Sequence, residues 1–280
     1  MKFLFYSVVL ATFCYACSPK ISSTITNKQP ALGEDEFVLV LQKEDNFNND
    51  GIEIGRIRSG DNGMSSGCTY YEVIGKLRQL ARSNGANLIK ITEHKSPDQW
   101  STCDRLSAKI YKVPNFRIHE KEIEWTEERK LIWEDFKGMP KTALYPNAAA
   151  LTYCGFAVQT ATVTMFSKPR IFTVNTFTTN LSWVLPGQKD RTDLLEHEQG
   201  HFDLSEIYTR KLREQLEERK MTSFNLTTEA NTIFKDVYAQ YLDRQELYEK
   251  ETQNGLYPIK QHEWTRVIGM ELRSLRRFIH

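Results

Sequence analysis

The sequence predicts an α+β protein of two domains, a small ββαββ sandwich followed by an antiparallel sheet with three long helices. Three observations carry that expectation. Strand-like apolar runs flank a single amphipathic stretch before Pro114. Segments dense in Thr, Val and Phe crowd residues 148–184, and helical periodicity takes over after Pro186-Gly187. A length of 280 residues suits two modest domains. The 37 Lys+Arg against 36 Asp+Glu give a net charge of +1, and no Lys/Arg cluster forms the electrostatic footprint that nucleic acid requires. Fourteen Gly and nine Pro exclude collagen-like and wholly disordered chains.

The first element is a leader. Met1-Lys2 precedes an apolar run from Phe3 to Ala16, shorter than the ~20 residues that span a bilayer, and the small Ala16 closes it as a secretory signal peptide over 1–16. Ala16-Cys17 resembles a bacterial lipoprotein processing site, although Cys14 and Tyr15 stand where such sites prefer Leu and a small residue. The resemblance implies that the Cys17 thiol is lipidated and anchors the chain in the bacterial cell envelope as an outer-membrane lipoprotein. The alternative is ordinary cleavage with Cys17 unmodified. No second apolar stretch of ~18 residues follows. Residues 17–33, rich in Ser, Thr and Asn, read as a lipidated, flexible tether.

The small α+β domain then occupies 34–114. Phe37 to Leu41 and Ile52 to Ile57 read as strands. Val73, Ile74, Leu77, Leu80 and Ala81 recur at helical spacing until Asn84-Gly85 stops the helix. Residues 87–91 and 106–111 add two more strands. Cys68 and Cys103 form a possible disulfide, the bland alternative being two buried thiols, and Cys154 is left over. The Gly85–Ile89 turn between those cysteines resembles small envelope-lipoprotein sensor domains and transfers no site. Pro114 and the charged run from His119 to Lys130 mark the next boundary.

The second domain covers 120–280. Its β-rich half comprises 148–159, 161–166 and 171–184, and Val174 to Val184 is expected as an exposed edge strand. Trp133, Trp183 and Thr173 to Thr179 read as core and sheet. Asp190 or Thr192 is expected to cap a helix from Asp193 to about Lys220. Further helices run from about Thr228 to Thr252 and from about Gln261 to Phe278.

His197-Glu198-Gln199-Gly200-His201 is the sharpest signal. Histidines at i and i+4 sit one above the other on a helix, so both imidazoles reach one Zn²⁺ at about 2.0–2.1 Å. Glu198, about 100° around, is placed to act on water without ligating the ion. A hydrolytic site needs a third protein ligand. Asp203 and Glu206 point to the opposite face and read as solvated or supporting groups. On the next helix Glu249 lies nearer the inward stripe of Phe234, Tyr238, Tyr241 and Tyr248 and is the preferred ligand, with Glu251 the alternative. His94, His119 and His280 lie outside any ligand spacing and read as solvated.

The run Leu194 to Asp203 resembles a bacterial family of predicted secreted zinc-dependent proteases, catalogued as a domain of unknown function. The likeness extends to Ile132-Trp133-Glu134-Asp135-Phe136-Lys137-Gly138, to Leu181-Ser182-Trp183, and to Tyr248 through Gly255, which is similar to that family's Tyr-Asp-x-Glu-Thr-x-His-Gly signature. It covers about 130 residues and implies a zincin-like fold for the second domain. Glu249 replaces the usual Asp and retains a carboxylate donor, whereas Asn254 replaces the usual His and removes one.

Taken together, the residues and the resemblance lead to an expected zinc-dependent metallopeptidase. Zn²⁺ lowers the pKa of water from about 15.7 to about 7, Glu198 serves as general base, and an extended peptide is the substrate. Tyr248, Tyr241 and His262 are the candidate oxyanion donors. The rival reading is a non-catalytic envelope lipoprotein for binding or stress sensing, its zinc site structural or degenerate.

Overall fold

The computed structural model describes residues 19–280 except Asp35, Asn49, 62–67, Gln99, 162–169, Ser223 and His280. The expected leader, Cys17, His280 and all but the first residue of the expected 161–166 segment therefore lie outside the described residues. The chain divides into two compact units at His119/Glu120.

The first unit is a five-stranded sheet backed by one helix. Its strands are β1 (Lys20–Ile25), β2 (Leu39–Leu41), β3 (Ile52–Gly60), β4 (Leu88–Lys95) and β5 (Arg105–Lys112), with α1 (Tyr70–Ser83) between β3 and β4. The sheet order is β1-β3-β5-β4-β2, antiparallel except for the parallel β2–β4 pair. α1 turns Val73, Ile74, Leu77 and Ala81 onto Ile54, Ile57, Ile89, Ile91, Leu106 and Ile110. Each such aliphatic side chain taken out of water contributes about 1.5–3 kcal/mol. Thr69 opens the helix, its N–H donating to Glu72 Oε2 over 3.0 Å. Gly85 ends it at φ +80°, where a Cβ would stand 2.4 Å from the Pro30 carbonyl oxygen. Cys68 and Cys103 are joined by a disulfide with Cα atoms 5.0 Å apart.

The tether expectation is corrected by β1. Lys20–Ile25 pairs antiparallel with β3 from Lys20↔Gly60 to Ile25↔Gly55. Ile21 and Ile25 reach the core while Ser and Thr face outward. The polar composition hid a half-buried edge strand. His119 is also corrected: its Nε2 lies 3.4 Å from Asp50 Oδ1 and its ring packs edge-on against Phe47, so it is half-buried rather than solvated. His94, exposed as expected, pairs with Asp104 at 2.7 Å.

In the second unit, β6 (Glu122–Glu124), β9 (Arg170–Thr178) and β8 (Cys154–Ala161) form an antiparallel sheet in that order. β7 (Ala150–Leu151) pairs with β10 (Trp183–Val184). The edge-strand expectation for Val174–Val184 fails, because β9 is the central strand and the chain turns after Thr178 before entering β10. Three helices follow, α2 (Thr192–Glu218), α3 (Leu226–Thr252) and α4 (Pro258–Ser274), with a final 3₁₀ turn over Arg276–Phe278. Neither Asp190 nor Thr192 caps α2; Arg191 occupies the cap position without a side-chain capping bond.

α2 is enclosed on several sides. Leu204, Ile207, Tyr208, Leu212 and Leu216 meet Ala230, Ile233, Val237 and Tyr241 of α3 and Trp264 and Ile268 of α4. Leu194 and Phe202 join Trp133, Phe136, Phe177 and Val184 in a second cluster. Glu206 is consequently not solvated: it is buried, accepts from Arg210 Nε at 2.8 Å and lies 3.5 Å from Arg213 Nη1. Asp203 accepts from Trp125 Nε1 and Gln199 Nε2, both at 2.7 Å. Among the described residues no helix is long and apolar enough to cross a membrane.

Candidate metal centre

α2 carries His197 and His201 on one face, and α3 brings Glu249 to them. The two Nε2 atoms are 3.2 Å apart, and the carboxylate straddles them with Oε2 3.4 Å from His197 Nε2 and Oε1 3.2 Å from His201 Nε2. One donor atom from each residue lies within 4.8 Å of the others, the sole such His/Cys/Asp/Glu grouping among the described residues. Ligands at about 2.0–2.1 Å in a tetrahedron have edges of about 3.3–3.4 Å, so the Nε2 separation is close to what two imidazoles need to hold one cation.

The hydrogen-bond pattern specifies which ring nitrogens face inward. Gln245 Nε2 donates to the His201 carbonyl at 3.0 Å, which leaves Gln245 Oε1 to accept from His201 Nδ1 at 2.5 Å. Gln261 Nε2 donates to Tyr248 Oη at 2.8 Å and its Oε1 faces His197 Nδ1 at 3.1 Å. With both Nδ1 protons committed, each neutral imidazole aims a lone pair at the other and at a carboxylate. Three acceptors converging on one point require positive charge between them. The electrostatics agree. Burial works against ionisation of Glu249, but the two imidazoles hold it far below the usual carboxylate range. Burial likewise opposes a charge on His201, yet Glu249 and Glu198 raise it above its ordinary value.

Local packing explains why α2 tolerates a glycine inside the motif. Tyr248 stacks on His197 with ring centroids 4.8 Å apart and planes 17° from parallel, and its hydroxyl donates to the His197 carbonyl at 3.1 Å. A Cβ at Gly200 would stand 2.2 Å from that hydroxyl oxygen. On the other side, α3 ends in left-handed Gln253 (φ 53°), Asn254 (φ 54°) and Gly255 (φ 77°), and a Cβ at Gly255 would come within 2.8 Å of His197 Cγ.

The centre opens into a cleft of about 540 Å³. Leu144–Thr152 forms one wall, and Arg191, Leu194, Glu198, Asn254 and Leu256 contribute to the remainder. Glu198 is 3% exposed, and its Oε2 has no hydrogen-bond partner among the described residues. A buried, unsatisfied carboxylate oxygen beside three converging donors is costly unless a proton, water or cation meets it.

Several expectations change here. Glu251 is not in the group; its Oε2 accepts from Trp264 Nε1 at 2.9 Å and ties α3 to α4. Tyr248 is fully buried with its hydroxyl engaged, Tyr241 places its hydroxyl 3.7 Å from Cys154 Sγ, and His262 is exposed on α4. None of the three lines the cleft. Tyr145, Asn147, Arg191 and Asn254 do, and of these sequence reasoning named only Asn254, as the replacement for the signature's His.

Residues 158–255 match the family described as a bacterial protein of unknown function (DUF922). The matched span contains His197, Glu198, His201, Gln245 and Glu249, and excludes both Ile132–Gly138 and Gln261. Its description attaches no activity, and the match includes no residue of 1–119. No curated protein and no solved structure matches the chain.

Proposed function

We propose that the protein is a zinc-dependent peptide hydrolase held in the bacterial envelope by a lipid on Cys17. The observation that carries this reading is the convergence of His197, His201 and Glu249 in a cleft that also holds the unsatisfied Glu198 carboxylate. His197 Nε2, His201 Nε2 and a Glu249 oxygen would hold the cation. When bound, zinc supplies Lewis acidity that polarises a carbonyl and makes water ionisable near pH 7. Glu198 takes the proton of the attacking water and passes it to the leaving amine, and burial excludes competing solvent from its Oε2. Among the described residues β7 pairs only with β10, and its residues, with 148–152 around them, line the cleft. A strand in the wall of the cleft favours an extended peptide over a compact substrate. The disulfide in the first unit supports an oxidising compartment.

The test is metal content of the purified full chain together with chelator-sensitive cleavage of a mixed peptide pool. Glu198→Gln should keep zinc and lower turnover about 10²- to 10⁴-fold. Cleavage that survives this variant or metal removal refutes the reading. Asn254, lining the cleft where the resembled signature has His, supports the second reading, a non-catalytic binding or stress-sensing lipoprotein with a structural zinc site. Zinc retained with no cleavage of any peptide selects it.

A further inference from the structure

We propose that Gln245 and Gln261 are positioning residues that lock the two imidazoles in the Nδ1–H form, and that Gln245 acts on His201 through its acceptor oxygen rather than through the bond that pins it to α2. The inference rests on reading the triad as a metal centre.

Neutral amides hold both histidines here. Carboxylates and backbone carbonyls commonly do this work around bound metals, and losing such a partner weakens metal binding about 10- to 100-fold. An amide accepts at one end and donates at the other, so its orientation must be fixed before its oxygen can define a tautomer. Gln245 has that anchor in a backbone carbonyl, which can only accept, and Gln261 has it in the Tyr248 hydroxyl when that hydroxyl spends its proton on the His197 carbonyl. Gln245 donates to the His201 carbonyl at 3.0 Å, and Gln261 donates to Tyr248 Oη at 2.8 Å. Tyr248 in turn donates to the His197 carbonyl, so the second anchor returns to the residue it serves. Position follows from helix geometry. Gln245, Tyr248, Glu249 and Thr252 stand at i, i+3, i+4 and i+7 on α3, one face that carries a positioning group, a stacking ring and the acidic ligand together. Gln261 comes from α4 and is 4% exposed. Because the clamps are uncharged, Glu249 supplies the only negative charge among the three ligands and their two glutamine partners.

The two functions of Gln245 can be separated by substitution. Gln245→Glu keeps an oxygen acceptor for His201 Nδ1 and loses the donor to the carbonyl. Gln245→Met keeps the length and loses both. Zinc affinity, read by competition with a chromophoric chelator on the full chain, should fall about 10- to 100-fold in Gln245→Met. It should recover most of that loss in Gln245→Glu. A residue that only packs α3 on α2 gives the opposite order, since the acidic variant would be at least as damaged. A second readout needs no metal. In chelator-treated protein, ¹⁵N spectra of the imidazoles at alkaline pH should show Nδ1 of both His197 and His201 protonated, whether or not a further proton is held between the two Nε2 atoms. Gln245→Met should release His201 alone, and Gln261→Met should release His197 alone. Unchanged affinity and unchanged tautomers in Gln245→Met, or equal weakening in Gln245→Glu and Gln245→Met, would overturn the proposal. Wild-type protein that binds no zinc would instead refute the metal-centre reading, while the tautomer spectra would still decide what the glutamines do.

Discussion

Replacing Gly200 by alanine tests the packing behind the histidine pair. A Cβ there lies 2.2 Å from Tyr248 Oη and 2.8 Å from Cζ, so the phenol must move. Tyr248 is fully buried between His197 and Trp264 and has no solvent-facing rotamer to adopt without opening the core. Overpacking of this kind costs about 1–3 kcal/mol. Displacing the hydroxyl also strands the Gln261 amide N–H, which adds about 1–3 kcal/mol. Alanine's higher helix propensity returns about 1 kcal/mol. The net loss is therefore about 1–5 kcal/mol, measured by urea denaturation of the metal-free full chain. Tyr248→Phe removes the clashing oxygen, so the Gly200→Ala/Tyr248→Phe pair should be less destabilised than the sum of its parts by about 1–2 kcal/mol. If Gly200→Ala raised stability by about 1 kcal/mol, propensity alone would account for it and the stacked geometry would be wrong.

Three further predictions concern other parts of the chain. Glu249→Ala removes a whole ligand, so its zinc affinity should fall by more than the roughly 10- to 100-fold expected for a glutamine variant, while Glu251→Ala should leave affinity unchanged; isothermal titration with zinc compares them directly. Replacing Cys68 and Cys103 by serine opens a loop of 35 residues and should destabilise the first unit by about 3–4 kcal/mol in chemical denaturation. Burial pushes the Cys154 thiol up to about 12, so peptide-resolved mass spectrometry at pH 8 should find it unalkylated by iodoacetamide in the folded protein and labelled in urea.

The histidine pair was legible because its geometry is local: four residues along a helix fix the relation of two side chains whatever the rest of the fold does. Glu249 was reachable by a longer argument, since the apolar stripe of α3 reveals which way the helix faces. Gln245 and Gln261 left no comparable mark. Glutamine is ordinary on a helix surface, and only tertiary contact turns it toward an imidazole. A faint signal existed in the spacing of Gln245, Tyr248 and Glu249, which share the inward side. The pattern Lys20–Ile25 misled because its two isoleucines are spaced by four and separated by Ser and Thr, so half-burial looked like solvation. Val174–Val184 misled for another reason. The sequence shows strand character but not which neighbours complete the ladder, and β6 and β8 come from segments 30 or more residues apart.

The long spacing between the donors has a consequence for synthesis. A growing chain exposes His197 and His201 well before Glu249, and Gln261 follows His197 only after 64 residues. Until α3 and the start of α4 have emerged and docked, the imidazoles have neither a third partner nor fixed tautomers. The three-residue group and its two glutamine partners are thus assembled only in a chain that extends into α4.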